Sequence, residues 1–494
     1  MRRVVVIGAG LGGLAAAIHL ARGGYAVTVV ERLERVGGKM SRYSAGGFTF
    51  DTGPTLLTMP FILDELVAGA GEEVARKLAP VRLDPICRYF FPDNTTLDAG
   101  GDPASMEAAI ARLHPRDGAG FRRFMDHAAA IYRAAAGPFL FSSFGSLGLK
   151  GFAANLRHVP ALARIDAFRT LDAAVRQHFQ DPRLQQIFNR FATYNGSSPY
   201  LAPATLALIP YVEFQMGGWY LRGGMYTLAE TLSALASRLG VEILTGRGAR
   251  SVVVTGKKAR GIVLEDGTRM EADAVVCNAD ALYAHEVLLR EVIPKSPRYG
   301  KAGASLAGLV MLLGVRGTFP ALAQHNVFFS SDYREEFATL IERECPSLDP
   351  TVYVSISSKV DPEHAPPGNY SNLFLLVNAP PVGERFDWDR EVDTYRQHVL
   401  ATLARRGLRI ERKDICVEHT ITPRGFERLF NAHRGALYGP SSNSRMAAFL
   451  RPPNRSRDVR RLYFAGGSSH PGGGIPLVLL SGKHVARLIA EDVA

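Results

Sequence analysis

Cysteine is scarce in this sequence and long apolar runs are missing, and each shortage removes a class of protein. The four cysteines, Cys87, Cys277, Cys345 and Cys416, are scattered and form no CxxC pair. A zinc ribbon, a thioredoxin-like site and a disulfide scaffold are therefore excluded. Reduced, mostly buried thiols are expected, as in a cytoplasmic protein. No apolar run reaches the roughly 18–20 residues that cross a bilayer as a helix, and the uncharged stretch Ala134–Leu149 is broken by Gly, Pro and Ser. A leader peptide is not expected, because Val4–Ile7 already reads as a strand. The histidines include no HExxH and no ligand pair backed by carboxylates, so no metal site is expected. With no GxSxG elbow, a hydrolase reading lacks its nucleophile. Glu335-Glu336 reads as part of a solvated helix face.

What is present points elsewhere. A composition of 47% hydrophobic and 21% charged residues is that of a globular protein, not a disordered one. The length of 494 residues allows two to four domains. The net charge of +11 would suit nucleic acid or anionic lipid. The basic residues are dispersed and no nucleic-acid motif occurs, so a generally basic surface is the expectation.

The first 31 residues form a complete β-α-β pattern. The β-branched run Val4–Ile7 is followed by Gly8-Ala9-Gly10-Leu11-Gly12-Gly13, then by a small-residue helix from Leu14 to Ala21. Ala26–Val30 is a second strand, ending at Glu31. In such a fingerprint Gly8 permits the tight turn, Gly10 admits a pyrophosphate to the backbone, and Gly13 lets helix and strand pack closely. The helix start adds unpaired N–H groups. Glu31 accepts hydrogen bonds from a ribose and repels a 2′-phosphate, which disfavours NADP. A second glycine pair, Gly37-Gly38, follows the acid closely and precedes Lys39. Gly217-Gly218 and Gly223-Gly224 lack a preceding β-branched strand, so no second dinucleotide site is expected.

Further along, Phe50–Asp102 mixes short helical patterns with turns, and Met106–Phe191 carries longer helical periodicity. Thr227–Leu239 reads as a helix. Val241–Leu244, Ser251–Val254, Arg260–Leu264, Thr268–Glu271 and Ala274–Cys277 read as strands. Leu309–Val315, Thr351–Ile356 and Asn372–Val377 add more strands. Near the end, strand Leu462–Ala465, a glycine loop and helix Pro476–Ile489 repeat the strand–glycine–helix order.

Three blocks carry a resemblance that spans nearly the whole chain. GFTFDTGPTLLTMP (Gly47–Pro60), GGWYLRGGMYTLAETLSALA (Gly217–Ala236) and LYFAGGSSHPGGGIPLVLLSGK (Leu462–Lys483) resemble the bacterial-type phytoene desaturase family, FAD-dependent carotenoid desaturases and their relatives. The glycine pair after Glu31 resembles the extended motif of FAD oxidoreductases related to amine oxidases. The resemblance implies that Gly8, Gly10, Gly12, Gly13, Glu31 and Arg32 hold the ADP half of FAD, with Gly37, Gly38 and Lys39 beside it. Gly53 and Pro54 would line the isoalloxazine region, and Gly466, Gly467, Gly474, Ile475 and Pro476 would cover it. The chain departs from the family's usual ending: Ser468-Ser469 precedes His470, and Gly472-Gly473-Gly474 replaces an alanine-containing turn. Gly435–Gly439 and Ser441–Leu450 look more like hydroxycarotenoid 3,4-desaturases and diapocarotenoid-modifying enzymes.

The expected fold is α/β. A Rossmann-like, doubly wound FAD-binding domain comprises 1–75, 222–290 and 455–494, and an α+β substrate-binding, membrane-facing domain comprises 76–221 and 291–454. The expected reaction inserts C=C bonds into a long apolar polyene by hydride transfer to the flavin, because side chains offer no hydride acceptor. The alternatives are oxidation of a terminal methyl, an amine-oxidase-like reaction, and a flavin-free carrier. Candidate catalytic residues are His470, Arg222 and Glu213. Phe191, Tyr194, Leu206, Ile209, Trp219 and Tyr220 are candidates for the tunnel wall. Peripheral docking on the cytoplasmic membrane is expected through Gly137–Leu171. There Phe139, Phe141, Phe144, Leu147, Leu149 and Phe152 would enter lipid, and Lys150, Arg157, His158, Arg164 and Arg169 would face its headgroups.

Overall fold

The computed structural model describes residues 1–143, 165–293, 303–444 and 451–493. Its organising element is a five-stranded, all-parallel sheet drawn from three distant parts of the chain. In spatial order the strands are Leu462–Phe464, Ala274–Cys277, Arg3–Ile7 (β1), Ala26–Val30 (β2) and Glu242–Leu244. Leu462–Phe464 thus shares the sheet of β1, with Ala274–Cys277 between them.

Both faces of this sheet are buried, which is why its strands are nearly continuous Val and Ile. Val4 and Val6 pack toward helices Leu11–Arg22 (α1), Thr227–Arg238 and Ile475–Asp492. The alternate residues Val5 and Ile7 pack toward Val252, Ile262 and Leu264 of a three-stranded antiparallel sheet. Helix α1 and helix Ile475–Asp492 cross so tightly that a Cβ at Gly482 would lie 2.6 Å from the Ala16 nitrogen.

A second, seven-stranded sheet runs in the order Ile415–Ile421, Ala307–Arg316, Tyr370–Ala379, Val352–Ser355, His325–Phe328, Cys87–Phe90, Thr96–Ala99. Only the pair His325–Phe328 with Cys87–Phe90 is parallel. Leu373, Leu375 and Val377 pack under helix Trp388–Arg405, and the alternate side chains Phe374, Leu376 and Asn378 line a cavity on the other face. Across that cavity lies a helical layer whose core is aromatic: Phe179 stacks on Phe188 at 4.3 Å, and Phe121 and Phe191 meet Phe214 edge-on.

Three expectations need correction. Glu336 does not sit on a solvated face: it is buried and accepts from the Thr351 N–H and hydroxyl, while Glu335 stays at the surface. The region Phe50–Asp102 holds three strands as well as helices Pro60–Val67 and Glu72–Lys77. Cys87–Phe90 and Thr96–Ala99 form an edge hairpin of the large sheet, and Pro80–Arg82 pairs with Trp219–Leu221. Such strands of three or four residues take their stability from a remote sheet and leave little periodicity. Of the cysteines only Cys87 and Cys277 are buried, whereas Cys416 is exposed. Among the described residues no helix is long and apolar enough to cross a membrane.

Candidate active site: one cavity with a glycine-lined end and a polar end

One cavity of about 500 Å³ runs from the edge of the parallel sheet to the helical layer. Its first part is made by backbone. The turn after β1 needs Gly8 at φ +95°. Helix α1 then starts at Leu11, with Gly10 at its N-cap and no capping side chain, so its first N–H groups are unspent at the cavity. A Cβ at Gly10 would lie 2.8 Å from Asn278 Nδ2, and one at Gly12 2.9 Å from the Gly466 nitrogen. Gly13 does not line the cavity. Its missing side chain lets α1 sit on the turn, where a Cβ would be 2.1 Å from the Gly8 oxygen. The Glu31 carboxylate accepts from the Ala9 N–H at 2.8 Å and the Leu33 N–H at 2.9 Å, which fixes it at the end of β2 with lone pairs left for hydroxyl donors. Arg32 lines the same end and donates to the carbonyls of Arg428 and Leu429 on helix Pro423–Phe430.

The middle of the cavity is enclosed by Gly37, Gly38, Lys39, Gly53 and Pro54 on one side. Gly466, Gly467, Gly474, Ile475 and Pro476 enclose it on the other. A Cβ at Gly53 would lie 2.0 Å from the Lys39 carbonyl, so this wall is as thin as a backbone can be. The Lys39 ammonium donates to the carbonyls of Ala436 and Leu437 at 3.1 and 2.7 Å. Burial pulls its pKa below the usual lysine range, against the opposing charge of Asp280. Helix Ile475–Asp492 begins here, with Gly474 at φ +104° before it and no capping side chain. Arg451, outside the sequence-based candidates, ties this region together by donating to the carbonyls of Tyr438 (2.9 Å) and Gly467 (3.0 Å). Burial lowers it to about 10, so it stays cationic at neutral pH. Asn278 was also missed. It follows a buried parallel strand directly and donates to the Gly8 carbonyl at 3.2 Å, and the carboxyl end of such a strand is where α/β sheets bind ligands.

These residues fit a dinucleotide. Two helix starts would offer N–H groups to its phosphate oxygens, the fixed Glu31 carboxylate would accept from a ribose hydroxyl, and the glycine walls leave no room for a Cβ.

Beyond the Thr55–Tyr353 hydroxyl pair (2.6 Å) the cavity continues along the large sheet, walled by Ala307, Val310, Phe374 and Leu376. At its far end are Arg190, Tyr194 and Glu213. Glu213 is therefore brought to the cavity. Its Oε2 accepts from the Tyr194 hydroxyl at 2.7 Å, and burial raises its pKa against the pull of Arg190. The other two catalytic candidates are not brought there. His470 lies within the C-terminal glycine loop with Nε2 against the Ser142 carbonyl, and burial lowers it to about 4, so it is neutral. Arg222 is exposed on a turn, 3.4 Å from the Val360 carbonyl. Of the wall candidates Tyr194 lines the cavity. Phe191, Leu206 and Ile209 pack in the aromatic helical core, Trp219 pairs with Arg82, and Tyr220 is buried beside Asp51.

A flavin-binding oxidoreductase is the class that this fold and cavity define. Residues 11–490 match the family described as flavin containing amine oxidoreductase. The chain is 35% identical to a 1-hydroxycarotenoid 3,4-desaturase from Flavobacterium sp. (strain P99-3), over the full length of both. It is 37% identical to a 4,4′-diapolycopene oxygenase from Methylomonas sp., covering 100% of this chain and 99% of the relative. Among solved structures, an oxidoreductase from Methanosarcina mazei superposes with a TM-score of 0.63 at 18% identity, covering 98% of this chain and 100% of that one. Cyclohexylamine oxidase from Brevibacterium oxydans IH-35A superposes at 0.59 and 15% identity, covering 100% of this chain and 99% of that one. At those identities the structures speak for the fold. The chain belongs to the flavin-containing amine oxidoreductase family, in its carotenoid desaturase and oxygenase branch. Its cofactor is FAD.

Proposed function

We propose that the chain is an FAD-dependent desaturase of acyclic carotenoids, acting on hydroxylated polyenes at a C–C bond near one end. The observation that carries this reading is the continuation of the FAD cavity, past Thr55 and Tyr353, into an apolar slot against the large sheet. FAD supplies the two-electron acceptor. The chain's own residues exclude water, hold the polyene against the sheet wall and keep its reacting bond in one orientation. We read 1–75, 222–290 and 455–494 as the FAD-binding part, and 76–221 with 291–454 as the substrate part.

Peripheral membrane association belongs to the same reading, because an apolar polyene must be drawn from lipid. Phe61 and Phe141 are exposed and 6.4 Å apart, and Phe168 is 75% exposed. Phe141 thus gives the start of the expected docking region an exposed aromatic pair with Phe61, and Phe168 an exposed ring near its end, as suits a headgroup boundary, whereas Phe139, expected to enter lipid, is buried against Ala135, Ile165 and Ala167. Phe144, Leu147, Leu149, Lys150, Phe152, Arg157, His158 and Arg164 lie outside the described residues.

Oxidation of a terminal methyl is the second reading, favoured by the 37% identity to the diapolycopene oxygenase. Expression in cells accumulating phytoene, diapocarotenoids or 1-hydroxycarotenoids separates the two by pigment mass. Loss of two hydrogens supports desaturation, and gain of oxygen at a chain end replaces it with terminal oxidation. Unchanged pigments with a flavin-loaded protein would sink both.

A further inference from the structure

The far end of the cavity contains more polar chemistry than an all-hydrocarbon ligand needs. Arg190 is 8% exposed and donates to the hydroxyls of Tyr89 (3.2 Å) and Tyr194 (3.3 Å), while the rings of Tyr89, Phe191 and Tyr194 stand 5.2–5.5 Å from its guanidinium carbon. Among the described residues its Nε has no partner. Glu213, 1% exposed, uses Oε2 for Tyr194 and leaves Oε1 without a partner. The Tyr333 hydroxyl is also buried and has no partner among the described residues. All three residues line the one cavity, and Tyr333 and Glu213 lie within electrostatic reach of Arg190. Buried polar atoms are normally paired. Three such orphans lining one cavity mark a site that expects a polar visitor.

We propose that Arg190, Glu213 and Tyr333 form a receptor for a hydroxyl group at the end of the polyene, and so determine which polyenes the enzyme accepts. An alcohol suits this set because it both accepts and donates: Arg190 and Tyr333 are donors, and the Glu213 carboxylate is an acceptor. Tyr194 is a positioning residue, holding Glu213 and Arg190 in register through one hydroxyl. Burial raises the Glu213 carboxyl, and a ligand hydroxyl donating to Oε1 would favour its ionised form. This inference rests on the polyene reading above and assigns its specificity to named side chains.

The test is a binding titration of the FAD-loaded protein in detergent micelles, read from the bound flavin's absorbance and fluorescence. The probes are an acyclic polyene alcohol and the hydrocarbon of the same length and conjugation. The wild type is expected to bind the alcohol about 100-fold tighter, since a site built for a hydroxyl rejects the analogue lacking it. Glu213→Gln should cut that preference to within about threefold by weakening the alcohol alone. Arg190→Met should do the same, but it strands a buried carboxylate and risks misfolding. Glu213→Gln and Tyr194→Phe, which keep shape, therefore carry the decision, with flavin content and melting temperature measured alongside. Equal binding of the two probes by the wild type would overturn the receptor and leave the polyene reading standing. So would an intact preference in both shape-keeping variants. Binding of neither probe by a flavin-loaded wild type would remove the polyene reading, and the receptor with it.

Discussion

The two ends of the cavity are built on opposite principles. At the FAD end main chain dominates: Gly8, Gly10 and Gly12 bring it to the cavity, and Glu31 and Asn278 hold it in place through hydrogen bonds to backbone groups. At the far end the contacts are side chains, and several keep an unspent hydrogen-bonding atom. A backbone cradle recognises the group that all members of a family share and tolerates almost no substitution. A cage of side chains can be retuned one residue at a time.

The largest effect should come from breaking the first end. Gly10→Val places a branched side chain where even a Cβ lies 2.8 Å from Asn278 Nδ2. The purified variant should be colourless, with flavin absorbance at background and no turnover. A yellow, active Gly10→Val protein would mean that the cofactor is held elsewhere.

A smaller, graded effect is expected from pH, and it compares the far end with the C-terminal loop. His325 and His470 are both buried, and both are lowered to about 4 in the fold. In the unfolded chain each takes a proton near pH ~6.5. Between those values the unfolded state binds more protons than the native state, so stability falls as pH drops from about 6.5 toward 4. At about 1.4 kcal/mol per unit, each costs about 2 kcal/mol by pH 5. Urea midpoints at pH 7 and pH 5 check this. His325→Gln and His470→Gln should each shrink the loss by that amount, and an unchanged loss would mean that the ring is solvated.

The smallest effect on chemistry is expected at Trp219, which packs beside the cavity without lining it. Its ring faces the Arg82 guanidinium, and its Nε1 donates to the Met216 carbonyl at 2.9 Å. Trp219→Ala should lower the melting temperature and leave both product pattern and flavin content unchanged. A changed product pattern, read by chromatography of the pigments, would extend the substrate slot to this side of the sheet.

The same contrast explains what could be read before the fold was known. Gly8–Gly13, Glu31 and the C-terminal glycine loop were legible because backbone recognition demands glycine at fixed spacing after a strand, a constraint local in sequence. Asn278 carried a weaker local signal, its place at the carboxyl end of strand Ala274–Cys277. The far end carried almost none. Arg190, Glu213, His325 and Tyr333 converge from a helix end, another helix, a sheet strand and a third helix, and only His325 and Tyr333, eight positions apart, share a short window. Glu213 and Tyr194 were picked out as separate candidates, but not as bonded partners. The aromatic residues around them misled because a core and a tunnel wall share composition. Phe191 belongs to the stack that closes the helical layer, and only packing distinguishes the two roles.

The parallel sheet also has a history in time. β1 leaves the ribosome early, yet strand Leu462–Phe464 and the helix that covers the flavin region follow roughly 450 residues later. At a synthesis rate of about 5–20 residues per second, that is a delay of roughly 20–90 s. For the last part of that interval, the roughly 185 residues between Ala274–Cys277 and Leu462–Phe464, the former strand has its outer edge open, and the glycine cradle has only one wall. Holoenzyme formation is therefore a late event in the chain's birth, and FAD meets a finished binding site only when the last helix docks. Until then the exposed strand edge must be kept from other chains, so the yield of active protein should depend on translation speed and on chaperones more than on the stability of the finished fold.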